Sequence, residues 1–203
     1  MIAIIDYGLG NICSVVSAVE KLGYEVLITS KSEDIEKAQK IILPGVGAFA
    51  DGMKNLKALG LDKILTELVC KCKKPILGIC LGFHLMSMES FEMGLHKGLG
   101  WIDASVHKIK AKEKLKVPHV GWNDLFQSKK NNIFSNIPSN ALFYYLHSYY
   151  VQCHDNSIVV GESEYGARFA SVVVKDNIVA TQFHPEKSQR WGLQLIKNYL
   201  DGS

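Results

Sequence analysis

Lys74-Pro75-Ile76-Leu77-Gly78-Ile79-Cys80-Leu81-Gly82 is the stretch whose reading decides the fold of this chain. Residues 74–79 form a short apolar strand and residues 81–88 continue with helical spacing, so Cys80 stands where a strand turns into a helix. Gly78 and Gly82 flank it in a small-x-nucleophile-x-small pattern, the layout of a nucleophile elbow. Such a sharp turn needs small flanking residues, because the nucleophile's backbone is strained and a Cβ on either side would collide with it. The helix N-terminus that follows offers unpaired amide N–H groups and a favourable dipole to a thiolate, the form of sulfur that attacks an amide carbonyl. The competing reading is a buried structural cysteine ending a core strand. A core strand has no use for two glycines.

Upstream, Ile2-Ala3-Ile4-Ile5 is an apolar run ending at Asp6-Tyr7-Gly8-Leu9-Gly10-Asn11, and residues 12–22 then show helical spacing until Gly23. Residues 25–28 and 40–43 repeat the strand signal, the second breaking at Pro44-Gly45, and residues 53–69 read as one helix. Strands alternating with helices mean βαβ units with right-handed crossovers, and functional groups then gather at the strands' C-terminal ends. From about residue 106 the character changes. Residues 117–122, 141–146, 149–151, 158–161, 170–174 and 178–182 are strand-like, Lys175-Asp176-Asn177 reads as a hairpin turn, and residues 188–200 close as an amphipathic helix with Ser188 at its N-cap. The expectation is one α/β domain over residues 1–203, a central mostly parallel sheet flanked by helices, with additional antiparallel strands in the second half.

Composition sets the broad class. With 203 residues, 47% hydrophobic and 21% charged, the chain matches average soluble domains and not disordered, fibrous or membrane proteins. Its charge of +3 is spread out, and residues 108–116, where lysines alternate with apolar residues, read as a solvated strand face, too sparse for nucleic-acid binding. The N-terminus lacks the basic region of a signal peptide and the five cysteines suit free thiols in a reducing compartment, so a cytoplasmic protein is expected. Cys70-x-Cys72 lacks a second ligand pair, so no metal is expected. Gly8-x-Gly10 has Cys13 where a dinucleotide fingerprint needs its third glycine, so no cofactor is expected either.

Two further stretches carry chemistry. In Gln182-Phe183-His184-Pro185-Glu186 an extended chain would project His184 and Glu186 to the same side, and a carboxylate holding one ring nitrogen leaves the other free to take the thiol's proton. A surface turn is the alternative. Leu43-Pro44-Gly45-Val46-Gly47-Ala48-Phe49 is a Gly-rich loop directly after a strand, able to aim backbone N–H groups at an oxyanion or to be a tight turn without function; no Lys-Ser/Thr follows, which excludes a P-loop.

Pro44-Gly45-Val46-Gly47, Gly78-Ile79-Cys80-Leu81-Gly82 and His184-Pro185-Glu186, in this order and spacing, resemble the class I glutamine amidotransferases, whose fold is flavodoxin-like. More narrowly, Asp6 to Asn11, Pro118-His119-Val120-Gly121-Trp122-Asn123, His147-Ser148-Tyr149-Tyr150 and residues 183–188 look like the glutaminase subunits of imidazole glycerol phosphate synthase. The resemblance implies a triad of Cys80, His184 and Glu186; an oxyanion hole from Val46, Gly47 and the Leu81 N–H; and glutamine held by Gly45, Glu92, Ser148 and Tyr149. It implies docking on a (β/α)₈ barrel synthase of histidine biosynthesis through Asn11, Trp122, Tyr144 and Lys187. One departure stands out: where the family continues past the elbow as Gly-Met-Gln, this chain has Gly82-Phe83-His84, placing an imidazole one helical turn from Cys80, by the substrate. That departure would suit a paralogue serving an amidating enzyme of surface-sugar biosynthesis. A stand-alone γ-glutamyl cysteine hydrolase would keep the triad without a partner, whereas a catalytically dead binding module would lack one member of it.

Overall fold

Strands covered on both faces of a parallel sheet read as continuous apolar runs, and the runs at Ile2–Ile5 and Ile76–Ile79 have every side chain buried. The computed structural model describes residues 1–110 and 115–202; the expected strand face at 108–116 thus lies partly outside the described residues. In chain order the first half holds β1 (Ile2–Ile5), α1 (Ile12–Lys21), β2 (Val26–Thr29), α2 (Ser32–Lys37), β3 (Lys40–Leu43), α3 (Phe49–Ala58), α4 (Leu61–Thr66), β4 (Ile76–Ile79) and α5 (Leu81–Met86). The second half is mostly strand: β5 (Ser87–Ser90), β6 (His96–Lys97), β7 (Ile102–Lys108), β8 (His119–Asp124), β9 (Phe126–Gln127), β10 (Leu142–His147), β11 (Tyr149–Cys153), β12 (Val159–Glu164), β13 (Arg168–Lys175) and β14 (Ile178–Thr181), followed by α6 (Gln189–Asp201).

Eight strands make the central sheet in the order β2-β1-β3-β4-β14-β13-β12-β9. The first five pair in parallel and the last three join by antiparallel pairing. Alternate residues feed two cores. Ile41, Leu43 and Ile76 pack with Phe49, Leu56, Leu65 and Trp101 on one face, and Ile42, Leu77 and Ile79 pack with Val15, Val19, Phe143 and Leu195 on the other. Helix α6 buries Gly192, Leu195, Ile196, Tyr199 and Leu200, the i, i+3, i+4, i+7, i+8 stripe of a helix lying on a core. A four-stranded sheet, β11-β7-β5-β6, and a two-stranded ribbon, β10-β8, complete the fold. Because β1, β3, β4 and β14 are adjacent and parallel, Asp6, the Gly-rich loop, Cys80 and the segment after Thr181 all emerge at one sheet edge.

Several elements differ from the sequence reading. The helix expected at 53–69 is α3 and α4 broken at Gly60, whose φ of +68° no helix accommodates, and α4 runs on into a π-turn at Glu67–Lys71. Helix α5 stops at Met86 because Ser87 pairs with Ile102 as the start of β5, a tertiary contact overriding local spacing. Helix α2 buries only Ile35 and so gives no periodic signal. Ser188 does precede α6 but provides no side-chain cap; its hydroxyl donates to the His184 carbonyl (2.6 Å) and accepts the Tyr144 N–H (2.9 Å). The hairpin at Asp176-Asn177 forms as read, with Lys175 opposite Ile178.

At Gly82 a Cβ would collide with the Leu43 carbonyl oxygen, backbone that β3 cannot move. Gly82→Ala is expected to cost about 3 kcal/mol or more, seen as a lower urea midpoint at unchanged slope. Gly23→Ala, where the space is open and only φ (+85°) is unfavourable, is expected to cost about 1–2 kcal/mol; equal losses would mean that the crossing at Leu43 is not tight.

Candidate active site

Cys80 has φ +51° and ψ −104° between the last residue of β4 and the first turn of α5. A side chain persists in that region only when its surroundings over-determine it. Here the Cys80 N–H donates to Thr181 O (2.8 Å) on the neighbouring strand, and the Cys80 carbonyl accepts the His84 N–H (3.1 Å). The Leu81 N–H donates to Gly45 O (3.3 Å), so the Gly-rich loop is tied to the elbow.

His184 Nδ1–H donates to Glu186 Oε1 at 2.8 Å, with both side chains buried. The extended segment expected here is a 3₁₀ turn, Pro185–Lys187, opened by the proline; the two side chains meet across that turn instead of along a strand. Burial alone would push the His184 imidazole down, but a Cys80 thiolate and Glu186 both favour its charged form and together hold its pKa well above the ordinary value. Nε2, the nitrogen away from Glu186, is buried without a hydrogen-bond partner among the described residues, as is Glu186 Oε2. Cys80 is the group nearest to hand for that nitrogen, since its sulfur is among the influences that raise the imidazole.

A cavity of about 320 Å³ opens over Cys80, at the small end of the ~300–1,000 Å³ typical of small-molecule sites. Val46, Gly47, Leu81, His84, Glu92, Ser148 and Tyr149 line it, with Pro118 and His147, which open two of the stretches behind the resemblance but carried no site role there, and Leu146. Gly45 lies outside the lining and contributes through its carbonyl. Glu92 reaches the start of α3, where Oε2 accepts the Phe49 N–H (2.8 Å). His147 is fixed as the Nδ1–H tautomer, because that nitrogen donates to the Tyr149 carbonyl (2.8 Å), which leaves Nε2 to accept from His119 Nδ1 (2.9 Å). Among the described residues no three His, Cys, Asp or Glu side chains converge as metal ligands would, and no helix is long and apolar enough to cross a membrane.

The family described as glutamine amidotransferase class-I matches residues 3–201. The chain is 50% identical over 200 residues to imidazole glycerol phosphate synthase subunit HisH 2 of Methanococcus maripaludis, covering 98% of both proteins. It is 46% identical to subunit HisH 1 of Campylobacter jejuni (98% of this chain, 99% of that protein) and 42% identical to subunit HisH 2 of Pseudomonas aeruginosa (99% of both). The chain belongs to the class I glutamine amidotransferase family. Its fold is also that of a glutamine amidotransferase from Thermotoga maritima, at TM-score 0.65 and 19% identity over 98% of this chain and 82% of that one.

In this amidotransferase the surface residues Trp122, Tyr144 and Lys187 come together: the two rings meet edge-on at 5.9 Å and Lys187 Nζ stands 6.0 Å over the Tyr144 ring. Asn11 opens α1 at the same sheet edge but makes no side-chain cap and no contact of these kinds with them. The most informative residue the sequence reading passed over is Gln182. It is fully buried at the end of β14, with its amide Nε2 toward Cys80 Sγ (3.9 Å) and Oε1 on His84 Nε2 (2.9 Å). A period of two counted back from His184 would have flagged it.

Burial pushes His84 down to about 4 and His147 down to about 3, so both are neutral in the folded protein near pH 7. The unfolded chain takes up protons on them near pH 6.5. The stability they leave intact is therefore complete above about pH 6.5 and is lost as pH falls toward 4. His184 has the opposite sign, its contribution complete below about 6.5 and lost on the alkaline side, so a fall in pH from 7 recovers only the small part already lost there. Lowering the pH from 7 to 5 is expected to remove about 2 kcal/mol per buried imidazole. Urea titrations of wild type and His84→Gln check this: the variant is expected to show the shallower pH dependence.

Proposed function

We infer that this amidotransferase is the glutaminase subunit of an imidazole glycerol phosphate synthase, a cytoplasmic enzyme of histidine biosynthesis. It hydrolyses L-glutamine to glutamate and ammonia, and the ammonia passes to a (β/α)₈ barrel subunit that makes imidazole glycerol phosphate and an aminoimidazole carboxamide ribotide. The observation that carries the reading is the strained Cys80 at the floor of the cavity, beside the buried His184–Glu186 pair.

The Cys80 thiolate attacks the side-chain amide carbon of glutamine, and the carbonyl oxygen becomes an oxyanion. His184, charged while the sulfur is charged, gives its Nε2 proton to the departing nitrogen, which leaves as ammonia; a glutamyl thioester remains. Water then gives a proton to His184 and its oxygen to the thioester, glutamate departs, and the thiolate returns. Glu186 keeps the ring oriented through both halves.

The oxyanion needs backbone donors from Leu81 and the Val46-Gly47 loop. The Leu81 N–H is engaged by Gly45 O, so that contact must loosen before the hole is complete. Withholding one such donor typically costs about 10²–10³ in rate, which suits a glutaminase that works only when its synthase is loaded.

The ribbon β8-β10 supports a partner. With Tyr144 opposite Trp122 and Leu146 opposite Val120, one face presents Val120, Trp122, Leu142 and Leu146 to solvent while the other buries Phe143 and Tyr145. A stand-alone γ-glutamyl hydrolase has no use for such a face. The second reading, a paralogue supplying ammonia to a surface-sugar amidating enzyme, is favoured by His84, which stands in the cavity where the family carries glutamine.

Glutamate release by the purified chain is expected to be slow, to rise about 10²-fold or more with the histidine-pathway barrel protein of its organism in the presence of that barrel's nucleotide ligand, and to fall by a factor on the order of 10³ or more in Cys80→Ser. Stimulation absent in a folded, barrel-binding chain would overturn the histidine assignment, and stimulation by an amidating enzyme instead would establish the second reading.

A further inference from the structure

The strand register that builds the elbow also fixes Gln182. Thr181 stands opposite Ile79 in the parallel β14-β4 pair, so the next residue along β14 lies beside Cys80. The Gln182 N–H donates to Ser171 O (2.9 Å) while the Thr181 carbonyl accepts the Cys80 N–H (2.8 Å), holding the backbone from both neighbouring strands. The side chain is fully buried, and its carboxamide bridges two groups, Cys80 Sγ at 3.9 Å through Nε2 and His84 Nε2 at 2.9 Å through Oε1.

A carboxamide has one end that attracts an anion and one that repels it. Turned half a revolution, Gln182 would aim carbonyl lone pairs at the sulfur. In the orientation seen, Oε1 can only accept, so the His84 Nε2 at 2.9 Å carries the proton of the neutral ring, and the NH₂ is left for Cys80. His84 is itself buried, and burial keeps it neutral. The other titratable groups around the sulfur are His184 and Glu186 on the turn after β14, His147 from β10 and Tyr7 beyond β1. Of these only His184 is placed to donate a proton in the reaction, so Gln182 supplies what the triad lacks, a donor that stays a donor in every step.

We propose that His84 and Gln182 are a positioning pair for the nucleophile, in which the His84 Nε2–H orients the Gln182 carboxamide so that its N–H stabilises Cys80 as a thiolate. This rests on Cys80 being the nucleophile. The pair acts on the charge state of the sulfur and leaves glutamine binding to the other cavity residues, so its loss lowers kcat and leaves KM where it was.

The test is Gln182→Leu, close in size and without a donor, compared with wild type by glutaminase kinetics and by the pH profile of Cys80 alkylation with iodoacetamide, followed at the Cys80 peptide because Cys13, Cys70 and Cys72 are exposed. The expected result is a kcat about 10- to 100-fold lower with KM within about threefold, matching the loss of one hydrogen bond to a charged group, and an alkylation profile moved to higher pH. A wild-type profile and kcat in folded Gln182→Leu would overturn the proposal. Should Gln182→Leu not fold, the pair His84→Leu and His84→Gln decides: His84→Gln keeps a donor for Oε1 and is expected to retain the wild-type alkylation profile, His84→Leu to lose it, and identical profiles in the two would overturn the proposal. Cys80→Ser separates the two readings, since glutaminase activity surviving in it would sink the nucleophile assignment itself, whatever Gln182 does.

Discussion

Cys80 occupies a backbone conformation that costs on the order of 1–3 kcal/mol, and the fold is arranged so that no other conformation is open to it. Its N–H is taken by β14, its carbonyl by the first turn of α5, and the next residue's N–H by the loop after β3. Gly82 lets α5 pass so close to β3 that a methyl group has no room against the Leu43 carbonyl. The strain is thus spread over three strands and a helix, all anchored in the two cores of the sheet. The sulfur is presented at the cavity because the chain around it has nowhere else to go.

The same crossing explains the division of labour between the two faces of the sheet. Phe49, Leu81, Phe83 and Leu85 hold α5 from one side, while Ile79, Phe143, Tyr145 and Phe183 support the end of β4 and the His184 segment from the other. Cys80 itself packs in the second of these cores, with Phe183 beside His184, while the helix that follows it is held by the first. The register of β4 with β14, Thr181 opposite Ile79, sets Cys80 beside the segment that leads to His184.

Much of this was legible in the sequence, and the limits follow from the physics. The elbow could be read because two glycines beside a cysteine have no other use, and the parallel sheet because its strands run continuously apolar. Cys80 lies at a strand-to-helix turn as read, and His184 and Glu186 meet, although through a 3₁₀ turn and not a strand. Helix α2, with one buried residue, and the strands β5 and β6, held by pairing and not by pattern, carry no local signal. Gln182 was half hidden: the period of two that pairs His184 with Glu186 also points back to it, but its contact with Cys80, 102 positions away, is set by strand pairing and leaves no local signal.

One strand joins the outer surface to the catalytic residues. The alternation of β10 puts Leu142, Tyr144 and Leu146 toward the exposed ribbon face and Phe143 and Tyr145 into the core, yet its backbone serves the site. The Tyr144 carbonyl accepts the His184 N–H (2.9 Å) and the Tyr144 N–H donates to Ser188 Oγ, whose hydroxyl in turn donates to the His184 carbonyl. Two residues on, the Leu146 carbonyl lies 3.9 Å from Cys80 Sγ. On the proposed function, a partner docked on Trp122, Tyr144 and Lys187 would bear on the strand whose backbone holds the His184 segment and reaches Cys80. Packed elements shift between discrete arrangements more readily than they deform, so on that reading the atoms of β10 shared by the exposed ribbon and the site are what would carry a docked partner's influence to Cys80 and His184.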